Sequence, residues 1–112
     1  MQTLINYPIL SNWQEHPEAK LDTSLLWEYD LSKFDYQDMR IVVVQRVVER
    51  GWPDDWFAVL NMYGEEGVKE AIRALPYLND KDMNFVSIAF EIPFDELKCY
   101  ERKQSRQAHW ES

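Results

Sequence analysis

Apolar residues recur at steps of three or four positions along most of the chain, which is the spacing of one face of an α-helix. Four stripes carry this pattern: Tyr36, Met39, Val43 and Val47; Trp56, Val59, Leu60 and Tyr63; Val68, Ala71, Ile72 and Leu75; and Met83, Val86, Ala89 and Phe90. The run Ile41-Val42-Val43-Val44 has the β-branched composition of a strand. Because the polar residues around it keep the helical spacing, the pattern predicts a helix there as well.

Residues that begin and end helices separate these stripes. Asp35 is placed to accept hydrogen bonds from the first turn of a helix that starts at Tyr36, and Gly51 is expected to end that helix in a left-handed conformation. Pro53 suits the first turn of the next helix, and Gly64 ends it. The predicted helices span residues 36–50, 53–63, 65–75, 80–90 and 93–102.

Five short helices joined by short links predict an all-α fold, a compact bundle with an extended N-terminal arm. The helical domain covers residues 24–104, and its first part, 24–34, is expected to be a brief helix and a helical turn capped by Asp30. The arm, residues 1–23, contains two prolines but is too apolar for a solvated tail. It covers the core of its own chain or docks on a second copy in a homodimer, and the sequence leaves both open. The polar tail, residues 105–112, is expected to fray.

Charge and composition restrict the partners and the compartment. Twenty acidic against twelve basic residues give a formal net charge of -8, which repels phosphate backbones and favours a basic protein partner over nucleic acid. No stretch approaches the roughly 20 apolar residues that span a bilayer, so no membrane association is expected. The chain has one cysteine and no recognisable secretory signal, which is typical of a cytoplasmic protein.

The sequence contains no recognisable catalytic, metal-binding or cofactor-binding motif. His16 and His109 lie at opposite ends of the chain, without a second ligand at helical spacing. Cys99 falls in an amphipathic segment, where a small buried residue is the ordinary role. The paired carboxylates stand in the first turns of predicted helices, where acids stabilise the helix without any acid–base chemistry: Asp54-Asp55, Glu65-Glu66 and Asp95-Glu96. We therefore expect a protein that is not an enzyme.

Tryptophans are the strongest candidates for binding a protein partner, because they are enriched among the residues that dominate interface energies. The candidate contact residues are Trp13, Trp27, Trp52 and Trp110. The competing interpretation of each is a position in the core, and for Trp27 and Trp56 that interpretation is favoured.

A helix-turn-helix that binds DNA is the alternative function. Residues 80–89, the break at 91–93 and residues 94–100 have the required spacing, with Asn79 or Asp80 as the cap of the first helix. The second helix, within the region 80–101, would present Asp95 and Glu96 to the major groove. An acidic leading end disfavours this interpretation.

Several ordered blocks together resemble a known family. The blocks are Leu26-Trp27-Glu28-Tyr29-Asp30, Arg46-Val47-Val48-Glu49-Arg50-Gly51, Asp55-Trp56, Tyr63-Gly64-Glu65-Glu66, and Ile92-Pro93 with Cys99-Tyr100. They resemble a family of small, uncharacterised, all-helical bacterial proteins that are often encoded beside nucleotidyltransferase-like toxins of the abortive-infection type, and the likeness covers about residues 25–104. The resemblance implies an antitoxin-like or accessory partner of such a toxin. It assigns no site residues, and the arm lies outside it.

Overall fold

Three α-helices form the framework of the protein in a computed structural model, which describes residues 10–100: α1 (Arg40–Arg50), α2 (Pro53–Ala74) and α3 (Asp80–Phe90). Short 3₁₀ turns flank them at Trp13–Glu15, Thr23–Leu26, Leu31–Lys33 and Phe94–Glu96. No strand occurs in this part of the chain, so the predicted all-α class is confirmed. Trp110, His109 and the predicted frayed tail lie outside the described residues, as do residues 1–9 of the arm.

The predicted stripes meet in one core. Val43 and Val47 of α1 are fully buried, and α1 packs on α2, on α3 and on the Thr23–Leu26 turn. The connecting segments also contribute to the core, with Leu10, Leu26, Ile92 and Leu97. Ile41-Val42-Val43-Val44 is helical, as its periodicity predicted. Burial of the branched side chains along one side of α1 therefore overrides their strand propensity.

Helix α1 begins at Arg40, so the predicted start at Tyr36 is wrong. The Asp35 carboxylate does cap a turn, because it accepts from the backbone N–H groups of Gln37 (2.9 Å) and Asp38 (3.2 Å). The carbonyl of Tyr36, however, accepts from the hydroxyl of Tyr63 at 2.7 Å, and the N–H of Arg40 turns to Gln37 instead. Burial raises the pKa of Tyr63 to about 12, so the hydroxyl remains a donor further into the alkaline range than an exposed tyrosine. The Tyr36 carbonyl thus bonds to Tyr63 and not to the N–H of Arg40, and the helical hydrogen-bond pattern is interrupted before α1.

Gly51 serves a different purpose from the one predicted, whereas Gly64 interrupts the helix as predicted. Gly51 has φ -73° and ψ 149°, so the predicted left-handed end of α1 is wrong. A Cβ at Gly51 would lie 2.6 Å from the carbonyl oxygen of Val47, which shows that close approach is the reason for glycine here. Gly64 has φ 76° and ψ 166°, a conformation that is nearly confined to glycine. It breaks the helical path within α2, where the sequence predicted one helix to end and the next to begin. The two helices predicted for residues 53–63 and 65–75 therefore correspond to one bent helix, α2.

The last predicted helix is wrong over residues 93–97. Phe94–Glu96 is a 3₁₀ turn, and Leu97 follows with φ -90° and ψ 120°. This extended residue places its side chain in the core, while the rings of Phe94 and Tyr100 pack at 5.2 Å. Helical structure resumes at residues 98–100, where the described chain ends. Core burial of Leu97 therefore outweighs the helix-start signal of Pro93.

The end of α3 contains a left-handed residue that is not glycine. Glu91 has φ 54° and ψ 46°, and the next residue, Ile92, donates to the carbonyl of Ser87 at 3.1 Å. Because a Cβ is strained in this conformation, we expect Glu91→Gly to raise the free energy of unfolding by about 1 kcal/mol, measured by urea denaturation. Glu91→Ala is the control, since it removes the charge but keeps the Cβ. An equal gain in both variants would contradict a backbone origin.

Candidate protein-contact surface

Of the three candidate contact tryptophans that the structure describes, two are open to solvent. Trp27 and Trp52 each expose 75% of their surface. Trp13 is half-buried, and its indole N–H donates to Glu65 at 2.9 Å, so it supports the fold. Trp110 lies beyond the described chain. The core interpretation is confirmed for Trp56, which is 5% exposed, and is wrong for Trp27.

Trp27 faces outward because its neighbours fix the backbone from the inside. Leu26, the preceding residue, is fully buried, and its carbonyl accepts from the N–H of Tyr29 at 3.0 Å. The Thr23–Leu26 turn packs on α1, where the Arg46 guanidinium donates to the carbonyl of Leu25 at 3.3 Å and forms an ion pair with Glu28. These contacts hold the segment on both sides of Trp27 against α1. The indole is therefore presented from an ordered backbone, which lowers the entropic cost of binding.

The hydrogen bond from Arg46 holds the pKa of Glu28 below its ordinary value, and more distant charges, including Arg50, act in the same direction. The Glu28–Arg46 attraction is therefore present above the unfolded pKa of the carboxyl and is lost as the pH falls through its folded pKa.

We expect Arg46→Met to raise the pKa of Glu28 toward its ordinary value, measured by NMR titration of the side-chain carboxyl carbon. Arg50→Met is the matched control. Arg50 attracts Glu28 electrostatically without a hydrogen bond, so its removal should change the pKa of Glu28 less. A pKa of Glu28 that is equal in the wild type and Arg46→Met would show that the ion pair does not form in solution.

Trp52 owes its fixed position to the buried carboxylate of Asp55. This side chain is 3% exposed, and its two oxygens accept from the N–H of Trp52 at 2.8 Å and from the N–H of Asp22 at 2.7 Å. The carbonyl of Trp52 accepts in turn from the N–H of Asp55 at 2.9 Å, which starts α2. The sequence predicted Asp55 as a first-turn acid, but nothing in it indicated the contact with Asp22, 33 residues away.

The C-terminal half of α1 lies beside Trp27 and ends two residues before Trp52. A shallow pocket is lined by Trp27, Glu28 and four residues of α1, namely Gln45, Arg46, Glu49 and Arg50. Trp52 follows Arg50 by two positions. We call Trp27, Trp52 and these α1 residues the tryptophan face. It combines two exposed indoles, one after the Thr23–Leu26 turn and one before α2, with the acidic and basic groups of α1, which are the features of a protein-binding surface.

A second depression, the α1–α3 groove, adjoins this face and has a volume of about 340 Å³. Its apolar lining includes Val48, Trp56 and Phe85, and its polar lining includes Glu49 and Asp82. Partial burial and then the charge of Glu49 raise the pKa of Asp82, against the opposite influence of Lys81 and Asn79. The two carboxylates therefore face the same space from different helices, a juxtaposition that the sequence did not predict.

His16 and Cys99, which were weighed as a metal ligand and a nucleophile, both pack against other residues of the fold. The imidazole of His16 stacks on Phe57 at 4.4 Å, and Cys99 is buried, which raises the pKa of its thiol. Over residues 10–100, no three His, Cys, Asp or Glu side chains come together in a way that could hold a metal ion. In the same range, no helix is long and apolar enough to cross a bilayer.

The helix-turn-helix hypothesis depends on residues 80–101. Its first helix is α3, and the side chain of Asn79 caps it by accepting from the N–H of Asp82 at 2.7 Å, as predicted. The predicted second helix is not α-helical at residues 94–97. The leading acids, Asp95 and Glu96, belong to the 3₁₀ turn, and Glu96 pairs with Arg73 at 3.2 Å. The described residues thus do not form the recognition element on which this hypothesis was based.

Comparison with known proteins gives one match. No curated protein and no solved structure matches the chain. Residues 21–72, which contain Trp27, Trp52, α1 and most of α2, match the model of a family described as "Family of unknown function (DUF6922)".

Proposed function

We propose that this protein is a non-enzymatic interaction module that binds a basic protein partner through its tryptophan face. The observation that carries the proposal is the exposure of Trp27 and Trp52, 75% each, on backbone that Asp55 and Arg46 hold in place. A large aromatic side chain gains free energy when it leaves water, and tryptophan is enriched among the residues that contribute most to binding. Trp27 and Trp52, whose backbone is held in place, supply two such anchors next to α1.

The expected charge of the partner follows from the chain's own charge. A formal net charge of -8 attracts a basic protein over several ångströms and speeds encounter, whereas the indoles supply most of the affinity. Binding should therefore weaken with salt mainly through a slower association rate.

The finer proposal concerns the identity of this partner. The sequence resembles small bacterial helical proteins that are often encoded beside nucleotidyltransferase-like toxins, which supports an antitoxin-like or accessory role. The matched family model is of unknown function and adds nothing to this choice. The product of a neighbouring gene is therefore the partner to be tested first.

Co-expression of the chain with the products of its neighbouring genes tests the proposal. The expected result is a complex that co-purifies with a tag on either protein and elutes as one species in size-exclusion chromatography. Growth of cells that express the neighbour alone should be impaired, and co-expression should restore it, if the role is antitoxin-like. Separate elution of both well-folded proteins at micromolar concentration would contradict the proposed pairing.

A further inference from the structure

We infer that the α1–α3 groove receives a lysine or arginine side chain of the protein partner. This inference rests on the proposed function and extends it, because it assigns the chemistry of one partner side chain and the place where it binds. The groove lies beside the tryptophan face, and Glu49 lines both the groove and the pocket next to Trp27. A segment anchored on the indoles therefore has a continuous path into the groove.

The lining of the groove suits an aliphatic stem that ends in a cation. Val48, Trp56 and Phe85 provide apolar and aromatic surface, and the rings of Trp56 and Phe85 have centroids 5.7 Å apart. Lysine and arginine bury their methylene stems along such surface and keep the charged group at the rim. Aromatic rings at the same place also attract a cation.

The charges at the rim complement a cation from the partner. Glu49 lies on α1 and Asp82 on α3, and the ion pairs shorter than 4.0 Å within residues 10–100 involve neither of them. Lys81, the basic residue at this rim, is exposed and takes part in none of those pairs either. Arg46 attracts Glu49 and Lys81 lowers the pKa of Asp82, so the repulsion between the two carboxylates is only partly relieved within the chain. A bound ammonium or guanidinium group would relieve it further.

A protein side chain fits this groove better than a metal ion. Divalent cations such as Mg²⁺ and Ca²⁺ require about six oxygen ligands, whereas the groove has two carboxylates, a lysine and apolar side chains in its lining. The volume of about 340 Å³ also exceeds what a single ion needs and accommodates an extended side chain with its neighbours.

An NMR titration of the full chain with short peptides tests the inference without knowledge of the partner. The probe is the peptide acetyl-Ala-Leu-Arg-Leu-Ala-amide, and its control contains citrulline, which is neutral and nearly isosteric, in place of arginine. We expect saturable shifts at Phe85 and at the indole N–H of Trp56, with about fivefold weaker binding of the citrulline peptide. The variant E49Q/D82N should weaken binding of the arginine peptide by about fivefold as well.

The control variant E66Q/D95N separates local recognition from general attraction, because it removes two exposed carboxylates outside the groove and has the same net charge. Its affinity should stay within about twofold of the wild type. The single variant E49Q should show about half of the loss in binding free energy and serves if the double variant is unstable in urea unfolding.

Three results would overturn the inference. The first is equal weakening in both double variants, which would indicate attraction by net charge alone. The second is shifts confined to Trp27 and Trp52, or absent at 10 mM peptide, which would leave the proposed function to be judged by co-purification. The third is shifts of the same residues by 10 mM Mg²⁺ with competition against the peptide, which would assign the groove to a metal ion.

Discussion

Replacement of Trp27 by alanine is expected to weaken the complex with the protein partner by about 30-fold in Kd, which corresponds to about 2 kcal/mol. The reason is that the exposed indole exchanges water for partner surface only on binding, and its backbone is already ordered by Arg46 and Leu26. The free energy of unfolding should change by less than about 0.5 kcal/mol, because the side chain contributes little to the core. Titration calorimetry and urea denaturation measure the two effects.

Trp52→Ala is expected to have a similar effect on affinity, since this indole is equally exposed. Tyr77→Ala is the matched control, because Tyr77 is also an exposed aromatic residue, at 62%, but lies between α2 and α3 and lines neither depression described above. Its Kd should stay within about twofold of the wild type. A loss in Tyr77→Ala equal to that in the tryptophan variants would move the contact surface away from the tryptophan face.

Asp55→Ala is expected to lower the free energy of unfolding by about 3 kcal/mol. The substitution removes the acceptor for the N–H groups of both Trp52 and Asp22, leaving two donors without their partner in a partly buried place. It also removes the link between the segment before the Thr23–Leu26 turn and the start of α2. Urea denaturation followed by tryptophan fluorescence measures the change.

Asp54→Ala is the matched control for Asp55. Asp54 occupies the neighbouring first-turn position, is exposed, and acts on α2 mainly through the helix dipole, so its removal should cost less than about 1 kcal/mol. Asp55→Asn keeps one acceptor oxygen and should fall between the two. Equal stabilities of the two alanine variants would contradict the importance of the buried carboxylate.

The three α-helices were predictable from the sequence because the side chains that form the core repeat with the helical period. Met83 and Phe90 belong to such a stripe, and both are buried in α3. Capping was predictable for the same local reason, as the Asn79 side chain at α3 and the Asp30 side chain on Ser32 show. Signals within one or two turns suffice for these features.

Contacts between distant segments account for the errors. The segment before α1 is held by a hydrogen bond to the Tyr36 carbonyl from Tyr63, 27 residues away, and the extended Leu97 depends on the core that it enters. The exposure of Trp27 follows from the burial of Leu26 and from the hydrogen bond that Arg46 donates to the carbonyl of Leu25. The local sequence pattern determines neither of them. The juxtaposition of Glu49 and Asp82 likewise requires the packing of α1 with α3. Two of the six residues of the tryptophan face, Trp27 and Trp52, were thus predictable as contact residues, but their position beside α1 was not.

Site-specific photo-crosslinking shows whether Trp27 and Trp52 contact the same partner. The photoreactive residue p-benzoylphenylalanine is introduced in place of Trp27, Trp52 or Tyr77, in cells that carry the native neighbouring genes. If both tryptophans contact one partner, positions 27 and 52 form crosslinked adducts of the same mass, and position 77 forms none. Adducts from position 77 alone, or no adducts from any position in folded protein, would contradict it.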